Sequence, residues 1–123
     1  MDIKKDFESF AAALKYLREE KRLSLRQLAA KIKKGDESSI SPSYLHDIEN
    51  NNRIPSAQII VQIANELEYD ADKLLVLAER ISPVAEELLK EQPVVAKLLR
   101  KAKEVGFTEW EKLQKLIEEE SDE

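Results

Sequence analysis

The chain has 123 residues, of which 37% are charged and 42% hydrophobic, with two glycines, four prolines and a formal net charge of −5. This composition predicts a mainly helical protein with one domain of ordinary size, or a small domain with an appendage. The absence of cysteine excludes disulfides, thiol catalysis and cysteine-based zinc sites, and no apolar run is long enough to span a membrane. We expect a cytoplasmic protein, because the N-terminal residues MDIKKDFESF lack the apolar stretch of a secretory signal.

Charge is distributed unevenly along the chain. Residues 15–34 contain eight Lys and Arg against two Glu, whereas residues 81–123 contain seven basic and eleven acidic residues. A polyanion would be attracted to the first segment and repelled by the second. Two solvated helix faces without a charged partner would give the same pattern, so charge alone leaves both interpretations open.

Five amphipathic helices are predicted in the first 80 residues, because apolar side chains recur there at spacings of three and four. The first is expected from about Asp6 to Lys21. Gly35 is expected to end the second helix, and the run Asn50–Asn52 the third. Four side chains are suited to accept hydrogen bonds from the first backbone N–H groups of the second to fifth helices. These expected N-caps are Ser24, Ser41, Ser56 and Asp70.

The second and third predicted helices are joined by a turn, which indicates a helix-turn-helix unit. Pro42 suits the first position of the third helix, because no backbone N–H is needed there. The exposed side of this helix would consist mostly of short polar groups that can bond to phosphates or to base edges in the major groove. These residues are Ser43, Tyr44, His46, Asp47 and Asn50.

Residues 9–78 resemble the Cro/C1-type, or XRE, family of helix-turn-helix transcriptional regulators. The matching stretches are LKYLREEKRLSLRQLAAKI, ISPSYLHDIENNNRIPS and IANELEYDADKLL. The resemblance implies an all-α fold with a five-helix, lambda-repressor-like domain in residues 1–80. It also implies sequence-specific binding of double-stranded DNA by a transcriptional repressor, acting as a homodimer or higher oligomer on a palindromic operator.

The same resemblance implies roles for individual positions. Ser24 and Arg26 match positions that contact DNA phosphates, and Tyr44 and Arg53 match positions that usually meet the DNA backbone. Base edges would be faced by residues at the tip of the third helix and one turn beyond it. The expected DNA-binding set is Ser24, Arg26, Ser41, Pro42, Ser43, Tyr44, His46, Asp47, Asn50 and Arg53.

A structural ion pair is also implied, in which Arg18 of the first helix pairs with Glu49 of the third. Three features depart from the family pattern. The stretch KKGDESS lengthens the turn before the third helix, and it either extends the second helix or forms a loop beside the DNA backbone. Asn51 and Glu68 occupy positions that are usually glycine, where the left-handed conformation costs other residues more.

The last third, residues 81–123, predicts a helical extension or hairpin. SPVAEELLKE and QPVVAKLLRK form an approximate repeat, so two helices with a bend near Gln92-Pro93 are expected. Gly106 should end the second of these, and Thr108 with Glu111 should form a capping box that opens a last helix.

Such a small hairpin cannot bury both apolar stripes alone, so it must cover the N-terminal core or pack on a second subunit. The stretch LLRKAKEVGFTEWEKLQKLI is similar to the helical oligomerisation hairpins of Sin-type biofilm regulators, which favours the second subunit. The expected oligomerisation residues are Leu98, Leu99, Val105, Phe107, Trp110, Leu113, Leu116 and Ile117.

An enzyme is not expected, and neither is a cofactor or a metal. His46 is the single histidine, no paired-carboxylate cleft is evident, and two glycines cannot form a glycine-rich phosphate loop. Two alternatives to the repressor stay open. One is an antitoxin whose C-terminal helices bind a protein toxin, and the other is an interaction module that retains the fold without binding DNA.

Overall fold

The computed structural model describes residues 7–121 and contains eight helices and no β-strand in that range, which confirms the predicted all-α class. None of these helices is long and apolar enough to cross a membrane. The chain divides into two compact units, the first ending at Glu86 and the second beginning at Glu87. The helices are α1 Phe10–Glu20, α2 Leu25–Lys31, α3 Pro42–Glu49, α4 Ala57–Glu66, α5 Ala71–Leu77, α6 Pro83–Glu91, α7 Pro93–Glu104 and α8 Trp110–Ser121.

The four predicted N-caps of α2 to α5 are confirmed, since each side chain accepts a hydrogen bond from a backbone N–H in the first turn of its helix. The predicted start of α1 is wrong. Ser9 is extended and its hydroxyl accepts from the Ala12 N–H, so the helix begins at Phe10. The aromatic ring of Phe7 instead contacts that of Tyr16, with centroids 5.5 Å apart. Asp6 lies outside the described residues.

The predicted end of α2 at Gly35 is also wrong, because the helix stops at Lys31 and Ile32 is extended. Ile32 and Ile40 are both buried in the core, and the Ile40 N–H donates to the Ile32 carbonyl oxygen at 3.0 Å. The chain between them therefore turns back on itself. Burial of two isoleucines decides the helix end, and the glycine lies in an exposed turn.

Left-handed backbone follows α3 and α4, as predicted for the positions where the family pattern has glycine. Asn51 has a φ of 63° and Glu68 a φ of 54°. The Glu68 carboxylate accepts from the Lys21 ammonium at 2.6 Å, which lowers the pKa of this glutamate. The left-handed conformation of Glu68 is thus accompanied by an ion pair that joins the end of α1 to the connection between α4 and α5.

Helices α1 to α5 enclose one hydrophobic core. Each helix contributes at least one side chain that is fully buried, and burial of this kind is the main favourable term in folding. Fully buried representatives of the five helices are Leu14, Leu28, Leu45, Ile60 and Leu74.

The helices of the last third begin and end mostly where the sequence predicts. Gln92 separates α6 from α7, and Gly106, with a φ of 70°, ends α7. The predicted capping box at Thr108 is wrong, because α8 begins at Trp110 and the Leu113 N–H donates to the Glu109 carbonyl oxygen. Within residues 87–121 only Ala102 is a buried hydrophobic residue.

Candidate nucleic-acid interface

The first turn of α2 holds Ser24 and Arg26 on the surface of the domain. The Ser24 hydroxyl accepts from the Gln27 N–H at 3.0 Å, and the Gln27 side-chain oxygen accepts from the Ser24 N–H at 2.8 Å. This reciprocal capping box satisfies two otherwise unpaired donors and fixes the start of the helix. Gln27 is not among the residues predicted from the sequence, although the Ser-x-x-Gln spacing is the signal for a capping box.

Helix α3 has one buried side and one exposed side. Leu45 and Ile48 face the core with at most 1% exposure. Ser41, Pro42 and Ser43 at its start are exposed. Further along the helix, His46 and Asn50 are also exposed, whereas Tyr44 and Asp47 are half-buried.

A groove of about 310 Å³ lies between α2 and the start of α3. It is lined by Arg26, Ala29, Ala30, Ser39, Ile40 and Pro42. The fold therefore brings a predicted phosphate-binding residue of α2 next to the predicted base-reading end of α3, although the two are far apart in the sequence.

Asp47 is the one acidic residue in the predicted DNA-binding set, and Arg53 lies beside it. The Arg53 Nε is 3.7 Å from the Asp47 carboxylate, and its guanidinium lies 5.4 Å from the centre of the Tyr44 ring. Arg53 thus contacts two side chains on successive turns of α3. Its positive charge offsets the carboxylate that would otherwise repel DNA phosphates.

The side chain of Asn50 is folded back onto its own helix. Its amide nitrogen donates to the His46 carbonyl oxygen at 2.9 Å and lies 3.0 Å from Nε2 of the His46 ring. The structure thus brings these two predicted residues into contact with each other. An Asn50 amide that reads a base edge would first have to leave this position.

Arg18 and Glu49 form a two-point ion pair that ties α1 to α3. The Arg18 Nε and Nη2 donate to the two Glu49 carboxylate oxygens at 2.6 and 3.0 Å, and Nη1 donates to the Leu23 carbonyl oxygen at 2.7 Å. The two side chains are only 12% and 6% exposed. The carboxylate raises the pKa of Arg18 above its ordinary value.

The eight residues predicted for oligomerisation are largely uncovered. Phe107 and Leu113 are half-buried, and the Phe107 ring meets the Trp110 ring edge-on with centroids 4.7 Å apart. The remaining members are exposed, with fractions between 43% and 66%. These are Leu98, Leu99, Val105, Trp110, Leu116 and Ile117.

No group of three or more His, Asp or Glu side chains that could hold a metal ion occurs in residues 7–121. The helical core and the α2–α3 arrangement define a helix-turn-helix protein.

Comparison with known proteins agrees with this class. The family model described as a helix-turn-helix domain matches residues 11–80, more than half of the chain, and the chain belongs to that family. No curated protein and no solved structure matches the chain. The family match suggests a DNA-binding regulator.

Proposed function

We propose that this protein is a sequence-specific repressor that binds double-stranded DNA as a dimer or higher oligomer at a palindromic operator. The observation that supports the proposal is the two-sidedness of α3, whose apolar side closes the core while its polar side is left exposed beside Arg26. In this proposal the DNA-binding domain is residues 1–80 and the oligomerisation region is residues 81–123.

In the proposed complex, the start of α3 enters the major groove and α2 lies across the sugar-phosphate backbone. Ser43 at the start of α3 and His46 about one turn further along are exposed on the side that would approach the bases. Arg26 and Tyr44 would bind phosphates on either side. Asp47 would accept from the amino group of a cytosine, which is the base contact that suits a carboxylate.

A salt titration tests this function directly. The duplex would be one selected from random sequences by the full-length protein. Its binding constant is expected to fall with salt at a log–log slope of about −0.9 for each phosphate neutralised. Arg26→Ala should make the slope shallower by about 0.9 for each bound subunit, or about 1.8 for a dimer. Fluorescence anisotropy with the labelled duplex at several salt concentrations measures both slopes.

Lys112→Ala removes an equal charge from α8 and serves as the matched control, because it should leave the slope unchanged. Ser43→Ala should reduce the preference for the selected duplex over a random one, since it removes a group that faces base edges. A flat salt dependence of the unmodified protein would rule out DNA binding. If Arg26→Ala and Ser43→Ala both keep the protein's biological function in full, the alternative of an interaction module that does not bind DNA would be favoured.

The second subunit would be held by the C-terminal helices. Their apolar residues remain exposed in the single chain, and exposed clusters of this kind mark interaction surfaces. Between Pro93 and Glu104, α7 has four basic residues and one acidic residue, whereas α8 and the two residues after it have six acidic and two basic residues. Helix α7 of one copy is thus complementary in charge to α8 of another.

Replacing both Trp110 and Ile117 with alanine is expected to dissociate the oligomer, because it removes two large apolar side chains from the proposed interface. Sedimentation velocity should show the mass fall to that of one chain. Binding to a duplex with two half-sites should weaken, whereas binding to one half-site should not change. Gln114→Ala, a polar change on the same helix, is the control. An unchanged mass in the double variant would contradict this interface.

An antitoxin is the second candidate, and the same exposed apolar side chains support it, since they suit a protein toxin as well as a second copy. A small toxin reading frame beside the gene would favour it. So would a chain that sediments as a monomer alone and forms a one-to-one complex with the product of that reading frame.

A further inference from the structure

The connection between α2 and α3 is an ordered hairpin rather than an open loop. A helix-turn-helix usually has a turn of about three or four residues, whereas here residues 32–41 separate the two helices. Lys33 and Ser39 form an antiparallel bridge, and the Lys34 N–H donates to the Ser38 carbonyl oxygen at 2.7 Å. The turn itself is Gly35, Asp36 and Glu37, where Glu37 has a φ of 70°.

Three contacts fix the base of this hairpin to the domain. The Gln62 side chain of α4 clamps Lys33, accepting from its N–H at 2.7 Å and donating to its carbonyl oxygen at 2.9 Å. The Ser39 hydroxyl donates to the Ala30 carbonyl oxygen of α2 at 3.1 Å. The flanking residues Ile32 and Ile40 are buried. The two lysines of the hairpin therefore start from a backbone that is already ordered.

The two lysines lie near two different grooves at the start of α3. The Lys33 ammonium is 3.5 Å from the Ser39 hydroxyl, and Ser39 lines the groove that also contains Arg26 and Pro42. Lys34 lines a different groove, together with Ser41 and Tyr44. Both lysines are exposed, and Lys34 shares its groove with Ser41 and Tyr44, which are proposed to bind DNA.

The hairpin also contains two acidic residues, which lie at its turn. The Asp36 carboxylate is engaged locally, accepting from the N–H and the hydroxyl of Ser38 at 3.0 and 2.6 Å. Glu37 follows it. The Ser38 hydrogen bonds, and then the charge of Lys34, lower the pKa of Asp36. A phosphate next to α3 would therefore compete with Asp36 for Lys34 but not with the Ser38 hydrogen bonds.

We propose that residues 33–39 form an additional phosphate clamp, in which Lys33 and Lys34 bind the backbone of the same duplex near the start of α3. The clamp rests on the proposed DNA-binding function and extends it to a segment that shorter turns lack. Phosphate contacts of this kind raise affinity for every duplex and position the protein without reading sequence.

The test is the double variant Lys33→Ala/Lys34→Ala in the full-length protein. Its log–log salt slope should be shallower than that of the unmodified protein by about 1.8 for the two phosphates of each bound subunit, or about 3.6 for a dimer on two half-sites. Affinity for selected and random duplexes should fall by the same factor, so that their ratio is retained. Ethylation interference on the selected duplex should show two fewer protein-contacted phosphates in each half-site than with the unmodified protein.

Two further variants separate charge from folding. Lys33→Arg/Lys34→Arg keeps both charges and should retain the slope of the unmodified protein. Lys112→Ala/Lys115→Ala removes two charges from α8 and should also retain it. If Lys33→Ala/Lys34→Ala has the same slope as this α8 control, the clamp is refuted while the DNA-binding function stands. If the unmodified protein itself shows no salt-dependent binding, the proposed function fails and the clamp fails with it.

Discussion

Replacing Arg18 with alanine is expected to lower the free energy of unfolding by about 3–5 kcal/mol, because the Glu49 carboxylate would be left largely buried without its partner. The Leu23 carbonyl oxygen would lose its donor at the same time. This hydrogen bond fixes the turn between α1 and α2. The substitution would therefore disturb both that turn and the packing of α1 against α3. Urea unfolding followed by circular dichroism measures the change.

The exposed pair between Lys21 and Glu68 provides the control, since its side chains are 39% and 77% exposed. Lys21→Ala should cost at most about 1 kcal/mol. The double variant Arg18→Ala/Glu49→Ala should be less destabilised than the sum of the two single variants, because neither charge is then left alone. An Arg18→Ala variant as stable as Lys21→Ala would show that the pair does not fasten α1 to α3.

Replacing Leu45 with alanine is expected to lower the free energy of unfolding by about 2–5 kcal/mol, the usual range for a leucine truncated in a packed core. Leu45 is fully buried on the inner side of α3. The alanine variant would therefore leave an apolar cavity that water does not fill. Thermal unfolding in the absence of DNA gives the comparison, with the heating curve followed by circular dichroism.

Ser43→Ala on the outer side of the same helix is the matched control and should change stability by no more than about 0.5 kcal/mol. The two variants should therefore separate the two functions of α3. Leu45→Ala would weaken the fold, and Ser43→Ala would weaken only duplex recognition. Equal and small effects on stability would mean that α3 is not packed as described.

Local interactions explain why most helix starts could be predicted from the sequence. A cap joins a side chain to a backbone group two or three residues away, so Ser24, Ser41, Ser56 and Asp70 could be recognised without knowledge of the fold. The alternation of buried and exposed residues in α3 is equally local, since it follows from the helical repeat. These two signals predicted the exposed side of α3, whereas Ser24, Arg26 and Arg53 entered the candidate set through the family resemblance.

Long-range contacts account for what the sequence could not predict. Gly35 is a good local signal for a helix end, but α2 stops earlier because Ile32 and Ile40 enter a core built from other helices. The hydrogen bonds between the Gln62 side chain and the Lys33 backbone join residues 29 positions apart, so no local sequence pattern predicts them. The contact between Asn50 and His46 depends on side-chain rotamers, which the choice of residue types alone does not determine.

The left-handed Glu68 has a consequence for measurements in high salt. Its ion pair with Lys21 joins α1 to the corner between α4 and α5, and an exposed pair of this kind is screened as ionic strength rises. The backbone strain at the corner does not change with salt, so the electrostatic compensation fades while the strain persists. Raising the salt concentration to count released counterions therefore also destabilises the connection between α4 and α5. A melting curve at each salt concentration separates this loss of stability from the loss of DNA binding.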